Sequence, residues 1–213
     1  MVEARGLTKT YGDAPVLKGI DFTLEAGEFV VLLGPSGSGK STFLNMLGLM
    51  DRPTGGQLLF DGRDVTAAGE DERARLRNAK LGFVFQFDAL LPEFTLLENV
   101  LMPARIAGRD ETARARELLG RLRLGALEAR FPAQVSGGER QRAALCRALI
   151  NKPELILADE PTGNLDKAAG ELVFSDLKTS AKEQGAAVVM VTHNEAAATY
   201  ATRVLRMTDG LLE

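Results

Sequence analysis

The sequence is poor in the residues that staple small proteins or hold structural metals. Among 213 residues there is one cysteine, Cys146, and one histidine, His193. That excludes a disulfide framework and a cysteine-rich zinc site. No stretch approaches the ~18 apolar residues of a membrane-spanning helix. The opening residues MVEARGLTKTYG lack the charged-then-apolar pattern of a secretory signal, so a reducing, cytoplasmic setting is expected. There is no basic excess either: 26 Lys and Arg stand against 29 Asp and Glu, a net charge of -3. No global field therefore draws the chain to nucleic acid or anionic lipid. Internal repeats and low-complexity tracts are absent. What is present is an ordinary globular composition, 45% hydrophobic and 26% charged, punctuated by 22 glycines. A chain of this length buries roughly 70% of its unfolded surface.

Short β-favouring runs and helical patterns alternate along the chain. Val2 to Leu7, Val16 to Leu24 and Phe29 to Leu33 read as strands, the last apolar throughout and so suited to a sheet buried on both faces. A glycine-rich loop leads into a helix over Lys40 to Met50. Gln57 to Phe60 and Leu81 to Phe85 are further strands around a charged helix at Glu70 to Lys80. From Asp88 to Gly125 arginine becomes dense and Pro92, Pro103 and Gly108 break the pattern. There Asp110 is expected to cap a helix with Ala115, Leu118, Leu119 and Leu122 on one face. The acids Asp110, Glu111 and Glu117 make that stretch a solvated face rather than an RNA-binding one. A helix follows at 137–150, then a buried strand at Leu155 to Ala158. Asp166 is expected to cap a helix burying Ala169, Leu172, Val173, Leu177 and Ala181, ended by Gly185. Ala187 to Val191 is a third buried strand. The alternation predicts an α/β fold with a parallel core sheet. Cys146 reads as a small buried apolar residue.

Gly34-Pro35-Ser36-Gly37-Ser38-Gly39-Lys40-Ser41 fits G-x-x-x-x-G-K-[ST], between a buried strand and a helix. Its glycines let backbone N–H groups converge on phosphate oxygens, and the helix dipole faces the same anion. Lys40 would neutralise the β and γ phosphates, and the Ser41 hydroxyl would ligate Mg²⁺. Asp159 and Glu160 end a buried strand, at the edge where ligands sit in open α/β sheets. Asp159 suits a water-mediated Mg²⁺ contact and Glu160 an attacking water. Read alone, the pair is equally a set of solvated acids. His193 ends another core strand and could hydrogen-bond a γ-phosphate or a water, though a lone histidine is more often structural. Gln86 ends a fourth strand; it either completes the Mg²⁺ shell or is a surface glutamine. Ser136-Gly137-Gly138-Glu139 opens a second helix with an anion-binding design. One ATP does not need two such starts, which suggests that another copy of the chain completes the site.

Together these motifs resemble the ATP-binding cassette ATPases, the motor subunits of ABC transporters, over about Val2 to Asp209. Gly34 to Thr42 looks like their Walker A, Leu155 to Asp159 their Walker B and Glu160 their catalytic glutamate. Val135 to Glu139 looks like the signature motif, with Val135 where leucine is usual. Gln86 matches the Q-loop, Asn164-Leu165-Asp166 the D-loop and His193 the switch histidine, while Tyr11 stands where an aromatic residue stacks on adenine. The run from Phe85 to Thr95, followed by Glu98-Asn99-Val100, is similar to the lipoprotein-releasing, LolD-like branch. Ala158 to Asp166 is shared with the MacB and FtsE branches.

The resemblance implies a P-loop ABC-ATPase fold: one domain over 1–213, an N-terminal antiparallel β subdomain, and a helical subdomain inserted at about 87–150. It implies a Mg²⁺-dependent ATPase that forms a homodimer around ATP and sits peripherally on the cytoplasmic face of the inner membrane. Transmembrane permease subunits, LolC- or LolE-like, would be its partners, with no nucleic acid and no direct membrane insertion. Catalytic roles fall to Glu160 and His193. Nucleotide contacts fall to Tyr11, Gly34 to Thr42, Ser136 to Glu139 and Asp166, and metal contacts to Ser41, Gln86 and Asp159. Leu91 and Phe94 are either core or part of a groove that receives a membrane partner.

Overall fold

A computed structural model describes residues 1–213. The chain runs β1 (Val2–Tyr11), β2 (Ala14–Leu24), β3 (Phe29–Leu33), α1 (Lys40–Leu47), β4 (Gly55–Phe60), β5 (Arg63–Asp64), α2 (Glu70–Lys80) and β6 (Leu81–Val84). It continues through α3 (Leu96–Ile106), α4 (Thr112–Arg121), α5 (Gly137–Leu149), β7 (Leu155–Asp159), α6 (Lys167–Gln184), β8 (Ala187–Thr192), β9 (Arg203–Thr208) and β10 (Leu211–Leu212). Two sheets form. One is four-stranded and antiparallel, in the order β2-β1-β4-β5. The other is six-stranded, in the order β10-β9-β3-β8-β7-β6, and parallel except for β10 at its edge.

Strand β3 divides the core. Its Phe29, Val31 and Leu33 pack with side chains of α3 to α6. Its Val30 and Leu32 pack toward α1 and the antiparallel sheet. Burying each such side chain is worth roughly 1.5–3 kcal/mol, which is why an unbroken apolar run suits this position. Phe43 of α1 meets Phe22 of β2 edge to face at 5.3 Å, tying α1 to the antiparallel sheet. Because β3, β6, β7 and β8 are parallel, their carboxyl ends lie along one edge.

Several elements differ from the sequence reading. Helix α1 stops at Leu47, three residues early, because Gly48 caps it and Leu49 turns left-handed at φ +55°. The Leu49 carbonyl is held there by Arg73 and Arg77 of α2, each at 2.6 Å. Pro103 does not break the chain but lies inside α3. Asp110 lies one residue before the cap of α4; its carboxylate accepts from the Thr112 amide at 3.0 Å and hydroxyl at 2.7 Å. On α6 Leu172 is exposed while Val173, Leu177 and Ala181 are buried. Asp166 does cap α6, accepting from the Ala169 amide at 2.9 Å, and Gly185 at φ +67° ends it.

Candidate functional site

The carboxyl edge of the parallel sheet opens into a cleft of about 560 Å³. It is lined by Tyr11, Val16, Ser36, Gly37, Gly39, Lys40, Ser41, Thr42, Gln86, Asp159, Glu160 and His193. Residues from Ser36 to His193 thus share one wall, because three parallel crossovers return the chain to the same edge, while Tyr11 reaches it from the end of β1 in the antiparallel sheet.

The loop from Gly34 to Gly39 follows β3 and wraps the start of α1. Gly34 is glycine of necessity: a Cβ there would lie 2.2 Å from the Met207 carbonyl oxygen. Gly39, at φ +105°, is the residue before α1 and leaves its first amides without a side-chain cap. Those amides and the helix dipole face the cleft as an anion-binding start. The hydroxyl of Ser38 is buried without a partner beside Gly34, and Ser38 is not among the residues that line the cleft. Pro35 and Ser36 are partly or fully exposed on the loop. Lys40 is buried, and its Nζ donates to the Gly34 and Pro35 carbonyls at 2.8 Å each.

Across the cleft, Ser41 Oγ donates to Asp159 Oδ1 at 3.0 Å. Burial pushes the Asp159 carboxyl above the ordinary range; the Ser41 bond opposes this, the Glu160 charge adds to it, and Lys40 opposes it again. Glu160 is the first residue beyond β7. Its Oε1 accepts from the His193 amide at 2.9 Å and lies 2.8 Å from His193 Nδ1. The carboxylate side chain is 16% exposed and the imidazole 68%, so the acid is sheltered and the ring faces outward. Tyr11 donates its hydroxyl to Asp51 at 2.7 Å, and Lys9 Nζ sits 4.7 Å above one face of its ring. Gln86, two residues past β6, is pinned by its carbonyl, which accepts from Asn164 Nδ2 at 3.1 Å.

Hydroxyl, carboxylate and amide oxygens from Ser41, Asp159 and Gln86 make a hard donor set that fits Mg²⁺. No group of three or more His, Cys, Asp or Glu residues is arranged to hold a metal. A cation here would therefore draw further oxygens from its substrate, as Mg²⁺ does with phosphates.

Ser136, Gly137, Gly138, Glu139 and Asp166 do not line this cleft. Ser136 caps α5 in a reciprocal box: its hydroxyl accepts from the Glu139 amide at 3.3 Å, and Glu139 Oε2 accepts from the Ser136 amide at 2.7 Å. The bond from that amide holds the Glu139 carboxyl below the usual range.

Sequence reasoning passed over the ties between α5 and the segment carrying Gln86. Gln141 Nε2 donates to the Phe85 carbonyl at 2.7 Å, Arg140 pairs with Asp88 at 2.8 Å, and Arg147 reaches the Asp88 and Ala89 carbonyls. Only Gln141 left a sequence hint, as a polar residue on the buried face of a helix. A second, apolar groove of about 380 Å³ lies beside this segment, lined among others by Met50, Phe83, Phe85, Ala89, Pro103 and Ile106. Leu91 and Phe94 do not line it.

Residues 17–163 match the ABC transporter family. The chain is 52% identical to the lipoprotein-releasing system ATP-binding protein LolD 2 of Caulobacter vibrioides, across 98% of this chain and 95% of that one. It is 47% identical to LolD of Shewanella frigidimarina, across 100% and 92%. It is 46% identical to the macrolide export protein MacB of Syntrophobacter fumaroxidans, across all of this chain but 31% of that one. A solved dimeric ATP-binding cassette bound to ADP and phosphate superposes with a TM-score of 0.91 at 40% identity, across 100% of this chain and 97% of that one.

Proposed function

Because the chain belongs to the ABC transporter family of ATP-binding cassettes, we propose that it is the ATP-hydrolysing motor of a transporter that releases lipoproteins from the inner membrane. The observation that carries the motor reading is the convergence of four strand ends on one polar cleft of about 560 Å³. The lipoprotein reading rests on the names of the near-full-length relatives in Caulobacter and Shewanella. A macrolide-export role is the second reading, since a MacB protein is similar across the whole chain.

In this reading Lys40 exchanges the Gly34 and Pro35 carbonyls for the β and γ phosphates. The amides of Gly37 to Thr42, Ser38 included, bind phosphate oxygens, and Tyr11 stacks on the adenine. Ser41, Asp159 and Gln86 would hold Mg²⁺, which when bound neutralises phosphate charge. Glu160 accepts the proton of the attacking water, and His193 contacts the γ-phosphate or that water. Ser136 to Glu139 and Asp166 lie away from the cleft and serve the site of a second copy, so the working unit is a head-to-tail homodimer. The helical segment at about 87–150 passes the motion to LolC- or LolE-like permease subunits, with the chain peripheral on the cytoplasmic face of the membrane. No helix is long and apolar enough to cross that membrane.

The test pairs two measurements. Glu160→Gln should bind ATP, hydrolyse it at least ~100-fold more slowly, and accumulate as a dimer on gel filtration with ATP. Affinity capture from a membrane extract should return a permease pair. Wild-type hydrolysis by the variant removes Glu160 from its role, and capture of a drug-export permease instead favours the second reading.

A further inference from the structure

We infer that Thr192 is a positioning residue for hydrolysis, one that sets the orientation of the Glu160 carboxylate. The inference rests on the reading of Glu160 as the base. Strands β7 and β8 are parallel with Asp159 opposite Val191, so the next residues, Glu160 and Thr192, meet where both strands end. The Glu160 amide donates to the Val191 carbonyl at 2.9 Å, and its φ of +45° is a left-handed conformation that is strained for a residue other than glycine. Such strain persists only where the surroundings over-determine it.

The carboxylate supplies that constraint. Thr192 is fully buried and donates its hydroxyl to Glu160 Oε2 at 2.8 Å. The same hydroxyl accepts from the Asn194 amide at 3.0 Å. A threonine hydroxyl has a single proton, so the amide on its lone pair turns that proton toward Glu160. Both contacts from His193 fall on Oε1. Contacts at one oxygen leave the carboxylate free to turn about that point; the Thr192 bond at the other oxygen fixes its plane. A carboxylate has about four acceptor positions. With the His193 proton on Nδ1, the tautomer that a carboxylate at 2.8 Å favours, two positions on Oε1 and one on Oε2 are filled, which leaves the open one on the oxygen that Thr192 holds. That oxygen is the one able to take a proton from water, and its aim depends on the Thr192 bond.

The test uses the full chain. Thr192→Val keeps the side-chain volume and removes the hydroxyl; Thr192→Ser keeps the hydroxyl. Thr192→Val should lower kcat by roughly tenfold to a hundredfold, the range expected for losing a hydrogen bond to a charged acceptor. KM for ATP and the binding of a fluorescent ATP analogue should not change. Gel filtration with ATP should show a persistent dimer for Thr192→Val and not for Thr192→Ser, which should retain most of the activity. In the Glu160→Gln background, adding Thr192→Val should change no rate, because Thr192 acts through Glu160. Should Thr192→Val prevent folding, Thr192→Ala also lacks the hydroxyl and carries the same expectation. Wild-type kcat in Thr192→Val, or equal loss in Thr192→Ser, overturns the inference while an inactive Glu160→Gln leaves the base reading standing. Wild-type hydrolysis by Glu160→Gln overturns the base reading itself.

Discussion

At the scale of single residues, the cleft holds charges where folding alone would not put them. Asp159 ends a buried strand, and burial raises its carboxyl pKa. A carboxylate raised in this way contributes stability while it is protonated, and that contribution is lost as pH rises through the folded-state value. In its ionised form Asp159 is therefore a cost to the fold. We expect Asp159→Asn to raise the melting temperature in EDTA at pH 7 and to abolish the added stabilisation that Mg-ATP gives the native protein. A lower melting temperature in EDTA would show that the carboxylate is better accommodated than its burial implies. The residues of this cleft were largely legible in the sequence because their chemistry is local: a phosphate loop needs glycines, a lysine and a hydroxyl in one short run. Thr192 was not legible as a partner of Glu160. Its meaning lies in the register of two strands, and nothing within either strand records which residue lies opposite.

At the scale of elements, α3 shows what apolar pattern and breakers miss. Pro103 donates no amide hydrogen, so the Asn99 carbonyl loses its helical partner. The helix persists because Leu96, Val100, Leu101 and Ala104 are buried and its start is locked. Thr95 and Glu98 form a capping box, and the buried Asn99 amide holds the preceding turn at the Leu91, Phe94 and Thr95 carbonyls, each at 3.0 Å. Thr95→Ala should destabilise the protein by about 1 kcal/mol, a melting shift of roughly 2–4 °C for a chain of this size. The Thr95 amide holds the Glu98 carboxyl below its ordinary value. Stability from the box is thus present above the unfolded-state pKa and lost as pH falls through the folded one. Thermal melts of Glu98→Gln, which removes the titrating carboxylate and keeps the Thr95 cap, should converge with wild type in that acid window; a constant difference at every pH would contradict this. Strand β9 escaped for a different reason. Its sequence RVLRMT buries only Met207 fully, and the strand is held by backbone pairing to β3 rather than by an apolar face.

At the scale of the whole molecule, the two cavities have opposite characters. The nucleotide cleft is polar, while the groove by Met50, Phe85 and Ile106 is apolar and shares the 85–89 segment with it. Gln141, Arg140 and Arg147 of α5 hold that shared segment at its backbone and at Asp88. A partner seated in the groove would thus press on the same short segment that carries Gln86. Ile106→Asp should weaken co-purification of the membrane partners and leave hydrolysis by the isolated chain unchanged. Unaltered co-purification would place the partner elsewhere, with the exposed Phe87 and Leu91 as the next surface to change.

The thiol of Cys146 is fully buried, and burial drives its pKa upward. Maleimide at neutral pH should leave the native chain unmodified and react once it is unfolded. For spectroscopy the protein then behaves as cysteine-free without any substitution. One cysteine placed at an exposed site, such as Lys167 beside Asp166, would take a spin label or dye alone. Two labelled copies would then report the opening and closing of a dimer as a distance, on a background that contributes no signal.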